Sequence, residues 1–95
     1  MINVKRLELD LWFNNITDKG LTTLSKSLTH LHQLEHLHLN LRSNPLHELD
    51  ITNLLTELNT LTDLKRIDLN LQQTKIKDYK LITQTQAQPS NLNII

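Results

Sequence analysis

Cysteine is absent, glycine occurs once, proline twice, and the aromatic residues are a single tryptophan, tyrosine and phenylalanine in 95 positions. The lack of cysteine excludes a disulfide framework, thiolate catalysis and thiolate-bound zinc, and is compatible with a reducing compartment. One glycine leaves no glycine-rich loop to cradle a phosphate. An excess of charge of either sign is also missing: ten acidic and ten basic residues cancel, so nothing draws nucleic acid or an anionic membrane electrostatically. No apolar run is long enough to cross a bilayer, and the opening MINVKRLELD carries charges where a signal peptide needs an apolar core. The expectation is a soluble, intracellular, cytoplasmic protein with no nucleic-acid partner and no membrane partner. The length permits one small domain over residues 1-95.

What fills the chain instead is leucine, arranged with a period. VKRLELDLWFNNITD from Val4, LEHLHLNLRSNPLHE from Leu34 and LKRIDLNLQQTKIKD from Leu64 superimpose without a gap at a spacing of thirty residues. Leu7, Leu37 and Ile67 share a column, as do Leu9, Leu39 and Leu69, then Leu11, Leu41 and Leu71, and the acids Asp18, Glu48 and Asp78. Within each unit the L-x-L-x-L run has period two, which predicts a strand with one buried face. The following GLTTLSKSLTHLHQ and DITNLLTELNTLTD carry leucines at helical spacing: Leu21, Leu24, Leu28 and Leu31, then Ile51, Leu54, Leu55, Leu58 and Leu61. These segments predict amphipathic helices. A strand and a returning helix cannot bury their leucines alone, so successive units must stack into a parallel sheet with helices outside it.

The pattern L-x-x-L-x-L-x-L-x-x-N-x-[IL]-x-[DE] resembles the leucine-rich repeat, in particular its ribonuclease-inhibitor-like class, over roughly residues 4 to 82. The resemblance implies an α/β fold: a leucine-rich-repeat horseshoe, or solenoid, with the parallel sheet on its concave face and the helices on its convex face. It also implies that Asn14 and Asn44 point inward to hydrogen-bond backbone groups of the turns, with Thr74 in their place in the third unit. One extra L-x pair precedes the asparagine here, for which a strand longer by two residues is expected. The repeats run over about 4-33, 34-63 and 64-91, and Leu92 with Ile95 repeats the spacing of Leu64 with Ile67 as the start of a fourth at 92-95. Tyr79, Leu81 and Ile82 suit a helix, but Gln84, Gln86 and Gln88 give it nothing to bury and Pro89 ends it. No polar cap is visible at either end, so the chain is read either as a fragment of a longer repeat protein or as a short chain covered by a partner or a second copy, and the truncation at Ile95 favours the fragment.

Thirty-residue spacing makes equivalent residues lateral neighbours on the sheet. The concave face should therefore show Arg6, His36 and Arg66; Glu8, His38 and Asp68; Asp10, Asn40 and Asn70; and Trp12, Arg42 and Gln72. His38, between two carboxylates, is expected to form lateral charge contacts. A metal site from His38, Glu8, Asp68 and His36 is disfavoured, because Arg6 and Arg66 oppose a cation and a flat face splays its ligands. His30 and His32 fall at the end of the first helix, and His47 on the surface. Trp12 and Phe13, opposite polar residues in the other units, are either hot-spot candidates at the rim of the concave face or packing over the first unit's edge, and packing is favoured because that edge must be covered.

Ser25 and Ser27 lie near His30 but lack a nucleophile elbow, so no catalytic residue, metal or cofactor is expected, and no enzyme. A regular grid of side chains suits recognition of a protein. The expected function is a protein-protein interaction module, a scaffold binding a protein partner through Glu8, Asp10, Trp12, His36, His38, Asn40, Arg42, Arg66, Asp68 and Asn70. The alternative is a structural subunit or fragment of a larger assembly, self-associating or joined through open strand edges, with the Ile67 to Gln72 strand pairing with another chain.

Overall fold

The computed structural model describes residues 3–84 and 91–95, without the side chains of Thr83 and Gln84. Three strands of five residues follow the alternating segments: β1 (Arg6–Asp10), β2 (His36–Asn40) and β3 (Arg66–Asn70). A fourth, β4 (Asn91–Ile94), completes a parallel sheet in the order β1-β2-β3-β4. Helices α1 (Asp18–Leu28), α2 (Glu48–Leu58) and the shorter α3 (Tyr79–Gln84) lie between the strands in sequence. The fold is α/β, with three helices and a four-stranded parallel sheet. Pairing of β1, β2 and β3 follows the thirty-residue register, Leu7 beside Leu37 beside Ile67.

Alternation sends Leu37, Leu39, Ile67 and Leu69 to the helix side, where they are fully buried with Ile51, Leu54, Leu55 and Leu58 of α2. Leu34, Leu41, Leu46 and Leu71 close that core at the strand ends. The second unit, flanked on both sides, has the driest interior. In the first unit Val4, Leu7, Leu9, Leu11, Ile16, Leu24 and Leu31 are only half-buried, because nothing among the described residues lies beyond β1.

Several expectations need correction. No strand gains two residues: each of the first three ends before Leu11, Leu41 or Leu71, although the ladder bonds continue as Leu11 N–H donates to Asn40 O and Phe13 N–H to Arg42 O. The extra leucine turns into the core after the strand has stopped. Helices α1 and α2 start two residues before the leucine-spaced segments and stop at Leu28 and Leu58. Leu31 and Leu61 then close tight turns onto Leu28 O and Leu58 O, redirecting the chain to the next strand. His30 and His32 consequently lie just past the helix. The fourth unit is a paired strand, with Leu92 beside Ile67 and Ile94 beside Leu69, rather than Leu92 matching Leu64 and Ile95 matching Ile67. Since β4 covers β3, the Ile67 to Gln72 strand is interior and does not await another chain. The expectations for Gln86, Gln88 and Pro89 lie outside the described residues.

Phe13, Ser43 and Gln73, equivalent in the three units, all have positive φ, 57°, 60° and 57°. Non-glycine residues in this left-handed region cost about 1 kcal/mol each. The same strained corner recurs because each unit turns in the same way out of its strand.

No helix of the described residues is long and apolar enough to cross a membrane.

Candidate functional site

The sheet has two faces, and the helices cover only one. On the other, the even-numbered strand residues stand in lateral rows: Arg6–His36–Arg66, Glu8–His38–Asp68 and Asp10–Asn40–Asn70. β4 extends the first two rows with Asn91 and Asn93. Trp12, Arg42 and Gln72 follow just past the strand ends, where the chain already turns. All ten residues expected on this face are at its surface except Asp68, which is only 6% exposed.

Asp68 is the electrostatic centre of the face. His36 Nε2 lies 2.7 Å from its Oδ2, and Arg66 Nε lies 3.2 Å from both carboxylate oxygens. A carboxylate only accepts, so Nε2 of His36 carries the shared proton. Burial pushes the Asp68 carboxyl up, but hydrogen bonds from His36, Arg66 and Asn93, with the Arg66 charge, outweigh it and hold the carboxyl below its usual range. This corrects the expectation for His38: the imidazole contact to Asp68 is made diagonally by His36, which is within reach of a long side chain two residues off register. His38 instead borders an open hollow of about 280 Å3 with Glu8, Asp10 and Asn40.

The two sides of the face therefore differ. Towards β3 and β4 the charges are mutually engaged. Towards β1, among the described residues, Glu8 has only Arg6 at 3.5 Å, with both side chains well exposed, and Asp10 accepts only the Trp12 N–H at 3.2 Å. No group of three or more histidine and carboxylate side chains among the described residues is placed to hold a metal ion.

Trp12 and Phe13 do not cover the first unit's edge. They are 55% and 75% exposed and contact each other at 6.2 Å between ring centroids. The turn that follows β1 carries them outward, and the left-handed backbone at Phe13 turns its ring away from the core.

The turn residues are unequal. Asn44, 1% exposed, donates through Nδ2 to Leu11 O, Leu41 O and Arg42 O, and through Oδ1 accepts from the N–H groups of Asn14 and Ile16. It ties the second turn to the first. Among the described residues, Thr74 keeps only a bond to Leu71 O at 2.7 Å and a long one from Ile76 N–H. The Asn14 side chain is exposed and, among the described residues, bonds only Trp12 O, so the inward ladder does not extend to it.

A further tie joins the second unit to the third. Glu48 Oε2, at the first residue of α2, accepts the N–H groups of Lys77 and Asp78 at 3.0 Å each, joining the second unit to the start of α3. Those bonds hold the Glu48 carboxyl below its ordinary value. The acid shared by Asp18, Glu48 and Asp78 was a visible signal, but its reach into the next unit was not. His47 N–H meets Asp50 Oδ2 at 2.8 Å, half of a capping box on α2.

On the helix side a shallow groove of about 300 Å3 runs between α1 and α2, past Ser25, Lys26, Asp50 and Glu57. Ser25 spends its hydroxyl on Thr22 O. No protein-family model, curated protein or solved structure matches this chain.

Proposed function

We propose that this chain is a protein-interaction module of the leucine-rich-repeat type, an intracellular scaffold that binds a protein partner through the uncovered sheet face. On this reading the stacked units form a short solenoid whose sheet is the inner, concave wall of a horseshoe, and the chain binds rather than catalyses. The observation that carries the proposal is the set of even-numbered side chains held in lateral register on a face no helix covers. A rigid sheet fixes these groups before binding, so little entropy is lost when a partner docks. The β1 half, with Glu8, Asp10, His38 and Asn40 around an open hollow, offers polar groups with few internal partners. Replacing Asp10, His38 and Arg42 together by alanine should weaken binding at least tenfold, measured by titration against the partner, with an unchanged circular dichroism spectrum. Unchanged affinity removes this face from the account.

A further inference from the structure

The outer edge of β1 has a defined chemistry. Leu11 N–H and Phe13 N–H donate to β2-side carbonyls, and Lys5 O accepts from Glu35 and His36, so the odd-numbered backbone groups point to β2. Alternation then directs the N–H and C=O groups of Arg6, Glu8 and Asp10 outward, where nothing among the described residues pairs with them. Beside this row of free groups lie the half-buried Leu7, Leu9, Leu24 and Leu31. An edge with unpaired amides and incompletely covered leucines is a template for another strand.

We propose that this edge pairs with the β1 edge of a second copy, antiparallel about a two-fold axis, to form a continuous sheet across a dimer. Only registers that set even residues opposite even residues let the outward groups bond. Placing Leu7 on the axis sets Arg6 of each copy opposite Glu8 of the other, joins the strands by about four backbone hydrogen bonds, and brings Leu7 against Leu7. The two neighbouring registers each put a like-charge contact on the axis, Glu8 against Glu8 with Arg6 opposite Asp10, or Arg6 against Arg6, and like charges directly opposite destabilise a strand pair. Arg6 already lies 3.5 Å from Glu8 within one chain, so both side chains stand on the face where the second copy's partners arrive. The other free edge, β4, presents Asn91 and Asn93 on that face and no charges to select a register. A head-to-tail arrangement of β4 on β1 would not close and would grow into filaments, whereas the two-fold contact stops at two copies. The inference does not depend on whether the sheet face binds a partner.

The test is light scattering on a sizing column with the full chain and two charge variants, each checked for fold by circular dichroism. The wild type should be a dimer, and Arg6→Glu and Glu8→Arg should each be monomers. An equimolar mixture of the two variants should restore a dimer, because Glu at position 6 of one chain then faces Arg at position 8 of the other, and Glu8 of the first faces Arg6 of the second. This rescue separates the pairing from any loss of fold. A wild type that stays monomeric to millimolar concentration, a ladder of larger species, or a dimer indifferent to both variants overturns the proposal.

Discussion

Replacing Asn44 by alanine removes the side chain that binds the first two turns together, and the loss can be worked from its partners. Two backbone donors, Asn14 N–H and Ile16 N–H, and the carbonyls of Leu11 and Leu41 lose their bonds. A net hydrogen bond contributes about 1 kcal/mol, and leaving buried groups unsatisfied adds to that. Water can reach the Asn14 side of the turn, so the expected loss is about 3–4 kcal/mol. A domain of this size has a stability of about 5–14 kcal/mol, so the change would be a large part of the whole. Urea denaturation followed by far-ultraviolet circular dichroism measures it as a fall in midpoint at constant slope. Asn44→Thr should lose roughly half as much, since a hydroxyl there can keep the carbonyl bond that Thr74 makes to Leu71. Asn14→Ala, losing one exposed bond, should cost about 0.5–1 kcal/mol. Equal losses at positions 14 and 44, or less than about 1 kcal/mol at 44, would refute the reasoning.

Two other outcomes follow from the same geometry. Gly20→Ala should stabilise the chain by about 1 kcal/mol, read as a higher urea midpoint, because an alanine costs less to order in a helix; the added Cβ would meet Ile16 Cγ2 at an ordinary 3.5 Å. Acid should destabilise the fold through Asp68 and Glu48, whose carboxyls are held below their ordinary values. A depressed folded value means the contribution is fully present above the ordinary carboxylate range, about 4, and is lost as pH falls through the lower folded value. Urea midpoints measured across acidic pH should show that fall, and the double variant Asp68→Asn, Glu48→Gln should flatten it.

The leucine columns made the sheet legible because a period of two within a period of thirty leaves few arrangements: β1, β2 and β3 and their register follow from it. The same columns placed three rows of the open face, while Trp12, Arg42 and Gln72 lie past the strand ends. What they could not give was the direction in which a side chain leans. His38 stands laterally between Glu8 and Asp68, yet Asp68 turns to His36, because Arg66 on its own strand and Asn93 on β4 set its position. Asn93 was out of view since β4 was aligned on the spacing of Leu92 and Ile95, whereas pairing is decided by which leucines reach the core, Leu92 and Ile94. The turn position was legible for Asn44, which has neighbours on both sides, and misleading for Asn14, which has one. A sequence repeat treats all units as equal, but burial depends on what lies beside each of them.

The central claim, that the uncovered sheet face is the surface through which this chain meets a protein partner, is tested most directly by photo-crosslinking. A photoreactive amino acid in place of Asn40, at the middle of the face, would be compared in the protein's native cells with one in place of the exposed Lys19 on α1. The account predicts a discrete protein adduct from position 40 that the triple replacement of Asp10, His38 and Arg42 abolishes, and none from position 19. An adduct from position 19 with none from position 40 would place recognition on the helices and contradict it.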